Sequence, residues 1–457
     1  MEAGLFRFLR FSLGLKGEVK DLLDGRQGCF DWEACYQFAK RQTLVGVLFD
    51  GIQRLPKELA PASPLLLRWL SDSESIRRRN MLMDRASAYI YNKVSAADFR
   101  CCILKGQGNA LLYPHPSSRI PGDVDVWVMV NREELRHIAL SLTEGDGSSL
   151  QESLNHIGLT VHGVSVELHS TPALLNSPLY NSRLQKWFKR NADLQCSNRI
   201  ALPNNAGKVA VPTLSFNIIY QLCHLFHHCF YEGVGLRQIV DYYFVLKNTD
   251  FSGNTDEGAG NTDRDEVFLN TDYTDFTDRF SGNTDGGGFL LNTDYTDSTD
   301  SSSGDFEGDG CLLNTDCTDF LDSSSGGLGE VDSGGALVAL QEELKWLGLW
   351  EFAGAVMYVL REVMGLDEKR MICAPDERRG RLLLEEIMAG GNFGHYDTRN
   401  HFGQGALWHN IQRFRRDWRM LRFYPSEALS EPLFRACHFL WRWKQKHAGK
   451  PKERNRN

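Results

Sequence analysis

Four tandem copies of a 22-residue unit interrupt the sequence between residues 248 and 335, and they decide which parts of the chain can fold. The motif Asn-Thr-Asp begins at 248, 270, 292 and 314, and further copies at 261 and 283 keep the same period. The repeats are rich in Gly, Ser, Thr, Asn and Asp and poor in aliphatic residues. Because they bury too little apolar area to offset the entropy of ordering, we predict a disordered insertion.

Two ordered alternatives exist for these repeats. Their length is compatible with a solenoid, and their aspartates could bind calcium. However, the repeats have no regular apolar ladder beyond the doublet before each Asn-Thr-Asp, and no Gly-Gly-x-Gly-x-Asp spacing. We therefore expect the folded body to be built from the sequence on either side of the insertion.

The charge of the chain is distributed unevenly. The repeats carry 21 Asp or Glu and two Arg, a net charge of −19, whereas the whole chain has −8, so the remainder is basic. A basic body suits a polyanionic partner such as a nucleoside triphosphate. The basic tail at 446–457 is expected to be a solvated end.

Length and cysteine use indicate several domains in a reducing compartment. A chain of 457 residues is too long for one ordinary core. Its eleven cysteines are scattered and form no C-x-x-C pair, which is typical of reduced thiols rather than of disulfides or a zinc site. The N-terminus resembles an amphipathic helix more than a signal peptide, and no run approaches the length of a membrane span. We expect a cytoplasmic protein without a transmembrane segment.

Hydrophobic periodicity predicts an α+β fold, in which a small mixed-sheet core is flanked by helical regions. Residues 1–98 show helical patterns, including one that continues from Trp32 to a proline at 56. Residues 99–170 alternate strand and helix patterns and end in two alternating runs around His162, as in a hairpin. The stretches 171–247 and 336–445 again read as helices, and we predict that they form one domain divided by the repeats.

The stretch "LKGQGNALLYPHPSSRIPGDVDVWV" at residues 104–128 carries the strongest chemical signal. On a strand, Asp123 and Asp125 point to the same face. Two such carboxylates repel each other unless a cation lies between them, and a hard divalent ion such as Mg²⁺ is the usual solution. The alternative is a strand that opens into solvent, where Gly-Asp-Val-Asp is only turn chemistry.

A third carboxylate supports the metal interpretation. In "VSVELHS", Glu167 lies on the polar face of a strand that could pair beside the first one. Asp123, Asp125 and Glu167 together could hold two Mg²⁺ ions, one on a triphosphate and one that activates a hydroxyl. Lys105 and Gly106 at a strand-to-helix turn would contact phosphates, and Arg119 would neutralise their charge.

These residues resemble the DNA polymerase β-like nucleotidyltransferase superfamily. The chain is more closely similar to an uncharacterised bacterial nucleotidyltransferase family common in Bacteroides relatives. That similarity rests on the stretch quoted above and on "VSVELHS", "HLFHHCFYEGVGLRQIVDYY", "LLLEEIMAGGNFGHYD" and "YPSEALSEPLFR". It spans about residues 1–445 apart from the repeats. The resemblance implies a polymerase β-like core near 99–170 and a metal-dependent nucleotidyl transfer.

Other polar residues are candidates for acceptor contacts or for supporting roles. His169 follows Glu167 on the same strand face. His224 and His228 are four residues apart on one helix face, where they could share a metal or simply belong to the core. Arg237 and Asp241 could form a helical ion pair, or Arg237 could contact a phosphate while Asp241 orients the acceptor.

The predicted function is Mg²⁺-dependent transfer of a nucleoside monophosphate from an NTP to a hydroxyl, with release of pyrophosphate. The acceptor could be a small molecule, a glycan or a protein, and no sequence-specific nucleic acid is expected. Two alternatives stay open. The sequence "RIPGDVDVWV" also resembles the Asp-rich segment of enzymes that attach phosphocholine to glycans, and the chain could be a catalytically silent nucleotide-binding or scaffold protein.

Overall fold

A five-stranded mixed sheet with helices on both faces organises the protein, as the sequence predicts. The computed structural model describes residues 2–15, 30–143, 150–249, 251, 334–397, 399 and 406–448. The strands of the sheet are β1 (Cys101–Leu104), β2 (Val124–Val128), β3 (Gln151–Glu152), β4 (His156–Val161) and β5 (Val164–His169). They are hydrogen-bonded in the order β1-β2-β5-β4-β3.

The helices before and within the sheet region are α1 (Glu2–Ser12), α2 (Trp32–Arg41), α3 (Val45–Gln53), α4 (Ser63–Ala96), α5 (Gly106–Ala110) and α6 (Arg132–Leu142). Those after it are α7 (Pro178–Ser197), α8 (Leu214–Tyr231), α9 (Leu236–Asn248), α10 (Gly334–Trp346), α11 (Trp350–Val359), α12 (Glu377–Gly390), α13 (Ala406–Leu421) and α14 (Pro425–Ala448). The described residues all belong to one compact unit, Met1–Asn254 and Ser333–Asn457.

The pairing of β2 with β5 positions the polar residues. The two strands run parallel, and their register sets Asp125 opposite Glu167 and Trp127 opposite His169. β1 and β4 flank this pair in antiparallel orientation. Because side chains alternate along each strand, Asp125 and Glu167 lie on the same face of the sheet.

The two faces of β2 meet different helices. Val124 and Val126 alternate with the acidic residues and are buried on the face covered by α4. Trp127 lies on the other face, where its ring is 6.0 Å from Phe188 of α7 and 5.9 Å from Phe216 of α8. These aromatic contacts fix α8 against the acidic face of the sheet.

Two local features differ from the sequence prediction. The continuous helix predicted from Trp32 breaks at Thr43, whose φ is 53°. The side chain of the preceding Gln42 is buried and stabilises this break, since it donates to the Ile387 carbonyl and accepts from the Leu236 N–H. Tertiary hydrogen bonds therefore override helical periodicity at this point.

A second difference is a small hairpin within the region predicted as helical. β6 (Arg199–Leu202) pairs antiparallel with β7 (Gly207–Ala210). The turn between them contains Asn204 and Asn205, both with positive φ. Asparagine tolerates this conformation, and the sequence Pro-Asn-Asn-Ala-Gly was a turn signal that periodicity alone missed.

Some predictions lie outside the described residues. The proposed disordered insertion falls largely on residues 252–333, and the basic tail falls partly on 449–457, neither of which is described. The division into domains also stays a prediction. Among the described helices, none combines the length and the hydropathy needed to cross a membrane.

Candidate active site

Three carboxylates converge where the start of β2 pairs with β5. Asp123 precedes β2, Asp125 lies within it, and Glu167 lies opposite on β5. Each offers an oxygen, and these oxygens lie within 4.8 Å of one another. Asp125 is only 2% exposed, so its charge is almost fully removed from water. We call Asp123, Asp125 and Glu167 the carboxylate cluster.

Two cations oppose the carboxylate cluster. Lys105 Nζ lies 3.2 Å from Asp125 Oδ2. His169 Nε2 lies 3.0 Å from Asp125 Oδ1 and 3.3 Å from Glu167 Oε2. Neither cation binds both oxygens of one carboxylate. Three carboxylates therefore face two cations, and their negative charge is only partly neutralised.

Electrostatics keep these groups charged despite burial. Burial disfavours the imidazolium of His169, but its hydrogen bonds to Asp125 and Glu167 outweigh this effect and raise its pKa to about 9. Burial also disfavours the ammonium of Lys105, yet the three carboxylates raise its pKa above the ordinary value. The same contacts hold the pKa values of Asp125 and Glu167 below their usual range, although burial opposes that shift.

The backbone at Lys105 and Gly106 forms a tight turn between β1 and α5. Lys105 has a φ of 37° and Gly106 a φ of 51°. Residues other than glycine rarely adopt a positive φ. This turn directs Lys105 toward the carboxylate cluster from the end of β1. The glycine is thus required by backbone conformation whatever ligand it meets.

Helix α8 contributes a chain of histidines behind Lys105. Lys105 Nζ lies 3.0 Å from His224 Nε2, and His224 Nε2 lies 2.9 Å from His228 Nε2. His228 Nδ1 lies 3.3 Å from Glu232 Oε2, which is more than half exposed. Burial and the nearby Lys105 lower the pKa of His224 well below its ordinary value, so its neutral ring can accept a hydrogen bond from the ammonium of Lys105.

Arg119 does not face the carboxylate cluster. It is 4% exposed and donates from Nε to Asp241 Oδ1 at 2.7 Å and from Nη2 to Asp241 Oδ2 at 2.8 Å. The Tyr113 hydroxyl donates to the same carboxylate at 2.6 Å. The predicted phosphate contact of Arg119 is at odds with this placement, because its guanidinium is already occupied by a buried carboxylate. We call Tyr113, Arg119 and Asp241 the buried ion pair.

Arg237 is positioned differently from Arg119. The helical ion pair predicted with Asp241 is replaced by the Arg119 contact, and Arg237 instead donates to the Ile120 carbonyl at 2.9 Å. Burial and the nearby Arg119 lower the pKa of Arg237, while Asp241 and Asp123 favour its charge. Arg237 therefore adds positive charge beside the loop that carries Gly122 and Asp123.

The structure thus brings together most of the residues singled out from sequence. Asp123, Asp125, Glu167, Lys105 and His169 meet directly, and His224 and His228 adjoin them through Lys105. His156 and Glu232 also contact these groups, and Tyr113 contacts Asp241, but all three were missed. His156 lies 3.6 Å from Glu167 Oε1, and it could have been found from its place on the strand that precedes "VSVELHS".

Comparison with known proteins gives a family and one weak structural neighbour. No curated protein matches the chain. The solved neighbour is an antigenic nucleotidyltransferase-like protein from Paracoccidioides brasiliensis, at 16% identity and a TM-score of 0.24. The match covers 36% of this chain and 75% of the fungal one. At this similarity the neighbour tells nothing about individual residues.

A family match covers the sheet and the carboxylate cluster. The profile of a family described as uncharacterised nucleotidyltransferase matches residues 28–259, half of the chain. This range contains all three carboxylates, Lys105 and the histidines of α8. The protein belongs to this uncharacterised nucleotidyltransferase family.

Proposed function

We propose that the protein uses Mg²⁺ to transfer a nucleoside monophosphate from an NTP to a hydroxyl of its acceptor, releasing pyrophosphate. The observation that supports this most directly is the convergence of Asp123, Asp125 and Glu167 at two adjacent parallel strands. Such a cluster has more negative charge than its protein neighbours neutralise. It is therefore suited to cations that arrive with a nucleotide.

The donor atoms of the cluster fit a hard divalent cation. Asp125 Oδ2 is buried and receives no well-directed hydrogen bond from the part of the chain that the structure describes, although Lys105 Nζ lies 3.2 Å from it. Carboxylate oxygens are the ligands that Mg²⁺ prefers. Asp123, Asp125 and Glu167 would hold two ions, which when bound neutralise phosphate charge and lower the pKa of the attacking hydroxyl.

Glu167 is the proposed proton acceptor for the hydroxyl. The adjacent His169 helps to hold the pKa of Glu167 below its usual range, so the carboxylate is ionised at neutral pH. It is also partly exposed, with 29% of its side chain accessible, whereas Asp125 is enclosed. An acceptor can therefore approach Glu167 from solvent.

Lys105, Gly106 and Arg237 are the proposed phosphate contacts. The ammonium of Lys105 already faces the carboxylates, and a nucleotide bound there would place its phosphates within reach. Arg237 carries positive charge beside Asp123, while Arg119 is bound to Asp241. We assign Arg119 and Asp241 to positioning the loop before Asp123, and His224 and His228 to supporting Lys105.

The reaction is proposed to take place in the cytoplasm, where NTPs are abundant. The eight described cysteines are free thiols and six of them are buried, which suits a reducing compartment. The acceptor is proposed to be a small molecule, a glycan or a protein.

Calorimetry of the full-length protein with Mg²⁺ and each NTP tests the proposal. Binding should require Mg²⁺ and should be lost in Asp125→Asn. The matched control is Asp193→Asn, which removes an exposed aspartate that pairs with the exposed Arg100. If Asp125→Asn binds as the wild type does, the carboxylate cluster is not the nucleotide site.

The identity of the donor substrate distinguishes nucleotidyl transfer from the two alternative functions. An NTP labelled at its α-phosphate should pass the label to an acceptor and release unlabelled pyrophosphate. Binding of CDP-choline in place of an NTP would indicate a phosphocholine transferase. Mg²⁺-dependent NTP binding without turnover across small-molecule, glycan and protein acceptors would favour a silent nucleotide-binding protein.

A further inference from the structure

A second group of potential ligands adjoins the carboxylate cluster and shares Glu167 with it. His156, Glu167 and His169 each offer one donor atom, and these atoms lie within 4.8 Å of one another. We infer that His156, Glu167 and His169 form a separate ion site that binds a divalent transition-metal ion through two imidazole nitrogens and one carboxylate. This inference rests on the proposed function, because it assigns a different ion to the neighbourhood of the Mg²⁺ site.

The strands place these three residues side by side. β4 and β5 are antiparallel, and His156 is the direct partner of His169. Glu167 is two residues before His169 and lies on the same face of β5. Its partner on β4 is Gly158, so no β4 side chain stands opposite the carboxylate. The two rings are 5.2 Å apart between centroids.

A neighbouring asparagine orients the ring of His156. His156 Nδ1 lies 3.2 Å from Asn155 Oδ1, an atom that only accepts hydrogen bonds. Nδ1 therefore carries the proton, and in the neutral ring the lone pair is on Nε2. This arrangement, in which the second ring nitrogen of a histidine is held by a polar partner, is common around protein-bound metals.

The free lone pair of His156 faces another acceptor. His156 Nε2 lies 3.6 Å from Glu167 Oε1. A neutral Nε2 and a carboxylate oxygen repel each other at this distance unless a cation lies between them.

His169 can supply the second nitrogen. Its Nε2 lies 3.3 Å from Glu167 Oε2, and its Nδ1 is buried without a hydrogen-bond partner among the described residues. Coordination uses the lone pair of Nε2, so the ion takes the place of the proton that His169 shares with Asp125 and Glu167. That proton leaves to solvent, and the remaining ring proton resides on Nδ1.

The donor separations and donor types indicate which ions fit. Ligands at about 2.0–2.2 Å from a common ion are separated by roughly 3.0–3.5 Å, close to the separations of both histidines from Glu167. Imidazole favours zinc, iron and similar transition metals, whereas Mg²⁺ prefers oxygen. The two sites should therefore select different ions, although Glu167 is common to both.

Spin-echo electron paramagnetic resonance of the full-length protein with Cu²⁺ and without nucleotide tests the inference, because Cu²⁺ is paramagnetic and binds imidazole nitrogen well. Wild-type protein should show modulation from imidazole nitrogen. His156→Ala should weaken that modulation and raise the Cu²⁺ dissociation constant by about tenfold or more. The matched control is His137→Ala, which removes an exposed histidine of α6 and should leave both quantities unchanged.

Variants of Asn155 test the orientation of the ring. Asn155→Ala should weaken Cu²⁺ binding by roughly tenfold, whereas Asn155→Asp keeps an acceptor for His156 Nδ1 and should restore it. Absence of nitrogen modulation in wild-type protein would overturn the inference. So would unchanged modulation and affinity in His156→Ala.

These measurements separate the inference from the proposed function. If Mg²⁺-dependent NTP binding is found but Cu²⁺ shows no nitrogen coupling, the transferase proposal stands and the histidines serve only as countercharges. If nitrogen coupling is found but no NTP binds, the ion site stands and the nucleotide proposal fails.

Discussion

The carboxylate cluster and the buried ion pair both remove charge from water, but they are satisfied to different degrees. In the buried ion pair, Asp241 receives two bonds from Arg119 and one from the Tyr113 hydroxyl, at 2.6–2.8 Å. In the carboxylate cluster, Asp125 receives single contacts from Lys105 and His169, and Asp123 and Glu167 add further negative charge.

This difference indicates which cluster binds a ligand. A buried carboxylate that already accepts three hydrogen bonds, as Asp241 does, has little to gain from a ligand, so its pairing with Arg119 is best explained by the folded structure. A cluster with more carboxylates than cations, next to a lysine that is 21% exposed, gains from the arrival of positive charge. Loss of a charge should therefore lower the free energy of unfolding in the buried ion pair, but lower turnover in the carboxylate cluster.

The largest effect is expected from breaking the buried ion pair. Arg119→Met leaves the carboxylate of Asp241 buried without its main partner, which typically costs about 3–5 kcal/mol in the free energy of unfolding. Urea denaturation measures this change. The control is Arg100→Met, which removes an exposed pair with Asp193 and should cost at most about 1 kcal/mol. If Arg119→Met is as stable as the wild type but no longer binds NTP, Arg119 would instead be a phosphate contact, as the sequence predicted.

The pH dependence of stability extends the comparison to Asp50, a partly buried carboxyl whose protonated form is favoured in the folded protein. Asp50 accepts from the Ser118 hydroxyl at 2.8 Å, and burial raises its pKa to about 7 against the opposing effects of Ser118 and Arg54. Between about pH 4 and 7 the folded state holds a proton that the unfolded state has lost. Its contribution to stability is therefore complete at low pH and is lost as the pH rises through this range.

Asp50→Asn keeps an acceptor for Ser118 but does not titrate. The difference in unfolding free energy between variant and wild type should therefore shift in favour of the variant by up to roughly 4 kcal/mol from pH 4 to pH 7. Urea denaturation at several pH values measures this difference. A constant difference over that range would show that Asp50 is ionised throughout in the folded protein.

A smaller effect, confined to chemistry, is expected from Glu167→Gln. Removing the proposed proton acceptor should lower turnover by on the order of 10²-fold, while the free energy of unfolding changes little because the cluster loses surplus negative charge. Glu152→Gln is the control, since Glu152 lies on the same sheet but pairs with Arg132 and Arg136. Label transfer and urea denaturation of the same samples check both parts. A large loss of stability without loss of turnover would show that Glu167 stabilises the fold, as the buried ion pair does, and takes no part in the reaction.

The sequence predicted the carboxylate cluster because strand alternation alone places Asp123 and Asp125 on one face. It also predicted the α+β class and the hairpin that carries Glu167. These features depend on local periodicity and on pairing between neighbouring strands, both of which can be read from sequence.

The buried ion pair was not predictable in the same way. Arg119 and Asp241 are 122 residues apart, and Asp241 has another arginine, Arg237, one helical turn away. The local pairing rule favoured that nearer arginine. Only the packing of α9 against the loop before Asp123 decides between them. The helix break at Thr43 has the same origin, since it depends on contacts of Gln42 with residues far along the chain.

The smallest effect is expected from replacing residues 252–333 by a short flexible linker. This segment joins the end of α9 at Asn248 to the start of α10 at Gly334 and contains most of the −19 net charge of the repeats. We predict that turnover stays within about twofold of wild type and that apparent NTP affinity changes slightly, because charges beyond about 8 Å are largely screened at physiological ionic strength. Steady-state kinetics at two salt concentrations, or Mg²⁺-dependent NTP binding until an acceptor is known, measures this, and any difference should shrink as salt rises. A tenfold loss that persists at high salt would show that the repeats belong to the active site, and the charge balance of the carboxylate cluster would then have to include them.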